Sequence, residues 1–199
     1  MTALDDAIAA ARNGRLVAIP TDTVYGIGTR ADDPAATARI FEAKGRSPDV
    51  DLPVFVASVG DARRLSKFDA RAEALAASFW PGALTIVLPR ADESAAWHLG
   101  GDGATIGLRI PGHSLARAVV EGVGALAISS ANKSGEPTAT TCDELVAAFG
   151  ELVDVYLCGE KPGASSASTV VTVAETGVRV LRPGPIGEDA VLRALSSTQ

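Results

Sequence analysis

Histidine is almost missing from this chain: His98 and His113 are the only two in 199 residues. No HExxH pair, Ser-His-Asp triad or GxxxxGK[ST] loop can be assembled around them or elsewhere. Chemistry that leans on a histidine base is therefore disfavoured. Cysteine is equally sparse, with Cys142 and Cys158 in no CxxC spacing, so neither a zinc site nor a disulfide framework is expected, and both should be buried thiols. Cations are outnumbered, 18 Lys and Arg against 24 Asp and Glu, for a net charge of -6. That balance argues against general nucleic-acid affinity, which depends on neutralising phosphates, and restricts any RNA contact to a local patch. No apolar run is long enough to cross a membrane, and Met1 to Leu4 lead directly into Asp5 and Asp6 rather than a basic and then apolar leader. A cytoplasmic protein is expected.

What remains is a composition 47% hydrophobic in a length that suits one domain over 1–199. Leu4, Ile8 and Ala11 recur at helical spacing, and Leu16 to Ile19 form a short apolar run ended by Pro20. Asp33 and Pro34 open, and Gly45 closes, a helix carrying Ala36, Ile40 and Ala43 on one face. Further strands are expected at Leu52 to Ala57, Leu84 to Leu88, Thr105 to Ile110, Leu126 to Ser129, Val153 to Leu157, Thr169 to Val173 and Val178 to Leu181. Helices are expected at Arg71 to Phe79, Leu115 to Glu121, Asp143 to Phe149 and Glu188 to Leu195. Such alternation without a long linker predicts an α/β or α+β layer structure on one sheet, with apolar strands covered on both faces.

Four segments could carry chemistry. Pro20 to Gly28 (PTDTVYGIG) leaves a strand with hydroxyls, a carboxylate and glycines, where α/β proteins bind ligands; the alternative is a plain glycine turn. Its Gly26 to Ala31 matches GxGxxA, but the required adjacency of strand and helix is lacking, so a dinucleotide fingerprint is rejected. Lys44-Gly45-Arg46 is either a solvated helix end or a phosphate clamp. Arg109 interrupts the apolar strand Thr105 to Ile110, so it either faces solvent or meets an anion, for which a ligand carboxylate is a natural partner. Ser129 to Gly135 (SSANKSG), followed by Pro137 and Thr138, is either a polar turn or a set of converging backbone N–H groups for an anion. Ser165 to Val171 and Leu181 to Gly184 add hydroxyls and a further cation, Arg182.

Read in order, PTDTVYGIG, KGR, FWPGALT, LRIP, SSANKSG, STVV and LRPG resemble the signature blocks of the YrdC-like family of threonylcarbamoyl-AMP synthases, from Pro20 to Gly184. The resemblance implies a single α/β domain with a twisted mixed sheet, flanking helices and a deep ligand groove. It also implies ATP, bicarbonate and L-threonine as substrates, with magnesium (Mg2+) carried on the ATP phosphates rather than in a protein cage. Lys44, Arg46, Ser130 and Asn132 correspond to a catalytic tetrad around the phosphates. Arg46, Thr105, Ser130, Thr138 and Arg182 correspond to ATP contacts, and Thr23, Arg109, Ser168 and the backbone at Ile128 to threonine contacts. Two positions depart from the pattern: Phe55 stands where many relatives have a His that contacts threonine, and Asp22 where they often have Glu. The chain resembles the short form, without an appended second domain. The resemblance allows a tRNA-modifying transferase complex as a partner, without fixing whether product passes directly to it. Competing readings are a family paralogue that binds nucleotide or RNA, and a pentulose-phosphate-processing synthase on a similar sheet.

Overall fold

The computed structural model describes residues 2–164 and 166–196. Helix α1 (Ala3–Arg12) starts at a reciprocal capping box between Thr2 and Asp5. Strand β1 (Val17–Ile19) and strand β2 (Gly26–Arg30) form an antiparallel pair. Helix α2 (Pro34–Lys44) is capped by the Asp33 carboxylate, has Pro34 in its first turn, and ends where Gly45 takes a left-handed φ of 60°. Strand β3 (Val54–Phe55), helix α3 (Val59–Leu65), helix α4 (Ala70–Phe79) and strand β4 (Leu84–Pro89) follow. Then come helix α5 (Asp92–Ala95), strand β5 (Thr105–Arg109), helix α6 (Ser114–Val123) and strand β6 (Leu126–Ser130). Helix α7 (Cys142–Phe149), a 3-10 turn (Gly150–Leu152), strands β7 (Val155–Tyr156), β8 (Thr169–Ala174) and β9 (Gly177–Arg182), and helix α8 (Glu188–Ser196) complete the described elements.

The strands make one mixed sheet in the order β7-β1-β2-β6-β3-β5-β4-β8-β9. Because successive strand residues point to opposite faces, the core divides between them. Val17, Ile19, Phe55, Leu126 and Ile128 pack with Ala7 and Ala11 of α1 and Val119 and Val120 of α6. Ala18, Ile27, Val54, Ile106 and Leu108 join Ile40 of α2 and Leu145 and Phe149 of α7 on the other side. There too, Leu84, Ile86, Leu88, Val171 and Val173 meet Leu75 of α4 and Val191 of α8.

Three expectations need correction. The strand β2 falls where a glycine turn was one reading; Gly26 and Gly28 serve it because an added Cβ would lie 2.6 Å from Ile128 Cδ1 and 2.7 Å from the Ala127 carbonyl oxygen, so β6 approaches too closely for side chains. The strands are not covered on both faces throughout. Thr105, Gly107 and Arg109 of β5, with Thr85 and Val87 of β4, turn to a face that no helix covers there, and line a groove instead. Finally, Cys142 and Cys158 are not free buried thiols. Tyr156 and Cys158 pack against the core cluster that holds Leu145 and Phe149 of α7, which brings the two cysteine Cα atoms to 5.6 Å, and they form a disulfide.

Candidate functional site

The groove is a cavity of about 390 Å³ over β3, β4 and β5. Its rim comes from the Thr21 to Tyr25 loop, the Arg46 to Pro53 turn, the end of β6, and the stretches around Ser168 and Arg182. Thr23, Arg46, Thr105, Arg109, Ile128, Ser130, Ser168 and Arg182, all named above from the sequence, line it. Lys44, Asn132 and Thr138 lie outside that lining. Ser165, part of the hydroxyl-rich run, lies outside the described residues.

Lys44 is turned into the SSAN loop. Its ammonium donates to the Ser130 and Asn132 carbonyls, each at 2.5 Å, and to Asn132 Oδ1 at 3.3 Å. Ser130 Oγ in turn donates to Asn132 Oδ1 at 2.6 Å. Three of the four tetrad positions thus form one hydrogen-bonded cluster. All three ammonium protons are engaged by the loop, so Lys44 shapes the loop that presents Ser130 to the groove. Burial, with the positive charges of Arg46 and Lys133 added, pushes its pKa down to about 8. Arg46, beyond the left-handed turn at Gly45, points the other way. It reaches Ser129 Oγ at 3.3 Å and the carbonyls of Val50 and Asp51 at 3.3 and 3.2 Å.

Arg109 is 3% exposed. Its Nε donates to the Gly82 carbonyl at 2.8 Å and its Nη1 to Thr23 Oγ1 at 3.1 Å. Phe55 presents its ring face 5.2 Å from the guanidinium carbon, a cation-π contact. The anion required by a cation inside a strand is present in the chain itself: Asp22 Oδ1 lies 2.6 Å from Arg109 Nη2. Both of these atoms are buried, and neither makes an aligned hydrogen bond, so the contact is an ion pair held off the N–H axis. Burial lowers the Arg109 pKa and Asp22 opposes that shift.

Arg182 donates from Nε and Nη2 to the Ser168 carbonyl and from Nη2 to Ser168 Oγ at 3.1 Å. Gly184 permits this, since a Cβ there would collide with the backbone of Ala167 to Thr169. Burial lowers the Arg182 pKa, and the charges of Arg109 and Arg46 lower it further. The Arg182 guanidinium therefore feels two other guanidinium charges across a single groove. An arrangement of this kind is relieved by a polyanion.

The family model Sua5/YciO/YrdC, described as "Telomere recombination", matches residues 9–184. The chain belongs to this family. A Mycobacterium leprae protein that carries a threonylcarbamoyl-AMP synthase name is 43% identical over 190 residues, which is 95% of this chain and 86% of that protein. The threonylcarbamoyl-AMP synthase of Chromohalobacter salexigens is 36% identical over 167 residues, 83% of this chain and 89% of that one. Among solved structures, Pyrococcus abyssi Sua5 complexed with L-threonine superposes with a TM-score of 0.88 at 34% identity, over 96% of this chain and 57% of that one.

Several lining residues were missed at the sequence level. Thr85 Oγ1 is paired with Ser168 Oγ at 2.9 Å; it stands in the FWPGALT block, and its place two residues before Val87 on a groove-facing strand was the available signal. Thr21 shares a 2.9 Å contact with Thr23 Oγ1 and donates to the Val24 carbonyl at 2.6 Å, closing the PTDT loop on itself. Asp51 is the one carboxylate among the described lining residues. Burial raises its pKa, Arg90 and Arg46 oppose the shift, and Asp102 adds to it. No sequence pattern singled it out.

Proposed function

We propose that the chain is an L-threonylcarbamoyladenylate synthase, joining L-threonine, bicarbonate and ATP into threonylcarbamoyl-AMP with release of pyrophosphate. The observation that carries this reading is the crowding of Arg46, Arg109 and Arg182 around one groove. That spacing suits a triphosphate beside an amino-acid carboxylate. The family relationship and the L-threonine complex of the P. abyssi protein support the amino-acid half.

The neutral amine nitrogen of threonine first bonds to the carbon of bicarbonate, a C–O bond breaks and water leaves, giving N-carboxy-threonine. One oxygen of its new carboxylate forms a bond to the α-phosphorus of ATP, while the bridging bond to the β-phosphate breaks and its electron pair leaves with pyrophosphate. The nucleophile is already an anion, so no strong protein base is required, in keeping with a groove that has no lining histidine among the described residues. The demands on the protein are position and charge neutralisation. Arg46 and Arg182 face the phosphates. Lys44 and Asn132 hold the loop that presents Ser130, and Thr105 and Thr138 complete the ATP contacts carried over from the family. Thr23, Arg109, Ser168 and the Ile128 backbone hold threonine. The paired Thr85 and Ser168 hydroxyls in the groove are the groups placed to meet the threonine hydroxyl, and a site that hydrogen-bonds such a hydroxyl rejects analogues lacking it.

A magnesium ion would be held mainly by the ATP phosphates and would supply further charge neutralisation there. A single carboxylate, Asp51, together with the Ser130 hydroxyl is a donor set that fits an ion held mainly by phosphate oxygens and water. A cytoplasmic location and onward transfer to a tRNA-modifying transferase complex complete the proposal.

The test is the purified protein with ATP, magnesium and radiolabelled bicarbonate, with and without threonine, followed by chromatography of the adenylate. Labelled adenylate and pyrophosphate should appear together and only with threonine. Arg46→Ala should abolish both in a folded protein. Pyrophosphate release indifferent to threonine would overturn the proposal.

A further inference from the structure

The Asp22–Arg109 pair has a consequence for what the amino-acid end of the groove selects, resting on the reading that this end binds threonine. Arg109 is held on four sides, by Gly82, Thr23, the Phe55 ring and Asp22. Asp22 is held as well. Its carboxylate lies against the α-carbon of Gly112, where an added Cβ would come within 3.2 Å of Oδ2. Over its backbone runs the segment from Glu160 to Ala164, fixed by Gly163 N–H to the Thr21 carbonyl at 2.9 Å and by Ala164 N–H to the Thr23 carbonyl at 3.0 Å. The Glu160 carbonyl of that segment also accepts from Tyr25 Oη at 3.0 Å. Arg109 is buried, and the backbone that carries Asp22 is fixed on both sides of it. The guanidinium proposed to meet the ligand carboxylate therefore already has a carboxylate partner at 2.6 Å, from a residue outside the groove lining.

We propose that Asp22 is a specificity-determining residue: by offsetting the charge of Arg109 it lowers the positive charge at the amino-acid end of the groove and favours a zwitterion there over a simple carboxylate. A lone Arg109 would attract any organic anion. Paired with Asp22, it offers hydrogen bonds to a carboxylate while the second charge favours an ammonium nearby and disfavours a ligand with net negative charge. Threonine enters as the zwitterion; its ammonium then loses a proton to solvent before the nitrogen bonds to the carbon of bicarbonate and water leaves. The already carboxylated form, a dianion in solution, is discriminated against at entry.

Calorimetric binding of three ligands separates the possibilities: L-threonine, 3-hydroxybutyrate (the carboxylate without the amine) and threoninol (the amine without the carboxylate). Wild-type protein should bind threonine at least about tenfold more tightly than either analogue. Asp22→Asn should lower the threonine-to-hydroxybutyrate ratio about tenfold, largely through tighter hydroxybutyrate binding, and Asp22→Glu, which keeps the charge, should restore it. A merely structural role would weaken both ligands together and leave the ratio unchanged. Hydroxybutyrate binding to the wild type as tightly as threonine, or an unaltered ratio in folded Asp22→Asn, would overturn the inference and leave the threonine reading standing. Wild-type protein that binds no threonine would overturn both. Should Asp22→Asn not fold, the wild-type comparison of the three ligands decides alone.

Discussion

Lys44 should take up a proton when nucleotide binds. In the folded protein its pKa is pushed from 10.5 to about 8, first by burial and then by Arg46 and Lys133. A shift of that size corresponds to about 3 kcal/mol of penalty against the charged form. The folded-state pKa lies below the ordinary value, so between about 8 and 10.5 the unfolded chain binds more protons than the folded one. Stability in the absence of nucleotide therefore rises with pH through that window, and the full penalty is carried below it. A triphosphate beside Arg46 leaves the burial in place but opposes the second cause. It supplies negative charge where two cations had repelled the ammonium, and it returns the pKa toward its ordinary value. Near pH 8, where about half of the molecules have lost the proton, binding should draw in up to about half a proton per nucleotide. At a pH about two units lower, where Lys44 is already charged, the uptake by Lys44 should vanish. Calorimetry in buffers of different ionisation enthalpy measures this directly. Lys44→Met supplies the control, because it removes the ammonium and keeps a side chain of similar length. Zero uptake by the wild type near pH 8, or equal uptake by Lys44→Met, would refute the assignment of the proton to Lys44.

The Cys142–Cys158 bond closes a loop with a sequence separation of 16, so reduction or Cys142→Ser should lower stability by about 3 kcal/mol. Paired denaturant melts with and without reductant read this, and coincident curves would show that the link does not constrain the unfolded chain. A cytoplasmic protein would keep these thiols reduced, so the reduced melt is the one that bears on function there. Thr85→Val keeps the shape of a buried side chain but leaves Ser168 Oγ without one of its partners. It should raise the threonine requirement about fivefold, equivalent to about 1 kcal/mol, with the ATP requirement unchanged; steady-state kinetics in both substrates checks it.

How much of this was readable in advance depended on how local the cause was. Helix α2 was readable because Asp33, Pro34 and Gly45 all act within a turn of the residues they cap. Helix α3 was not, although Ser58 caps it through the Asp61 N–H, because Gly60 and three charged residues within seven hide any apolar stripe. Strand β2 escaped for a different reason. Its glycines answer to a neighbour about a hundred positions away, the backbone and side chains of Ala127 and Ile128, and no window along the chain contains both. The same holds for Arg109. An isolated cation in an apolar strand announces a buried anion, yet nothing local says that the anion is Asp22. The cysteines fall in this class too, since their pairing depends on how α7 docks beside β7.

The groove itself lies between these cases. Thr105, Gly107 and Arg109 alternate with Ile106 and Leu108, and Thr85 and Val87 alternate with Leu84, Ile86 and Leu88. A period of two with polar or small residues on one side marks a sheet face that need not be packed. The pattern thus indicates that β4 and β5 have an uncovered face. It does not indicate that the two faces coincide, because that requires the antiparallel register Val87 to Gly107 and Ile86 to Leu108. Once that register is in place, Arg109 falls on the same face as Thr85, and β8, pairing parallel with β4, leads from the chain at Ser168 on the same rim. The chemistry of the site follows from one registration of strands. Any substitution that slipped β5 by one residue against β4 would turn Arg109 into the apolar core and empty the groove of its central cation.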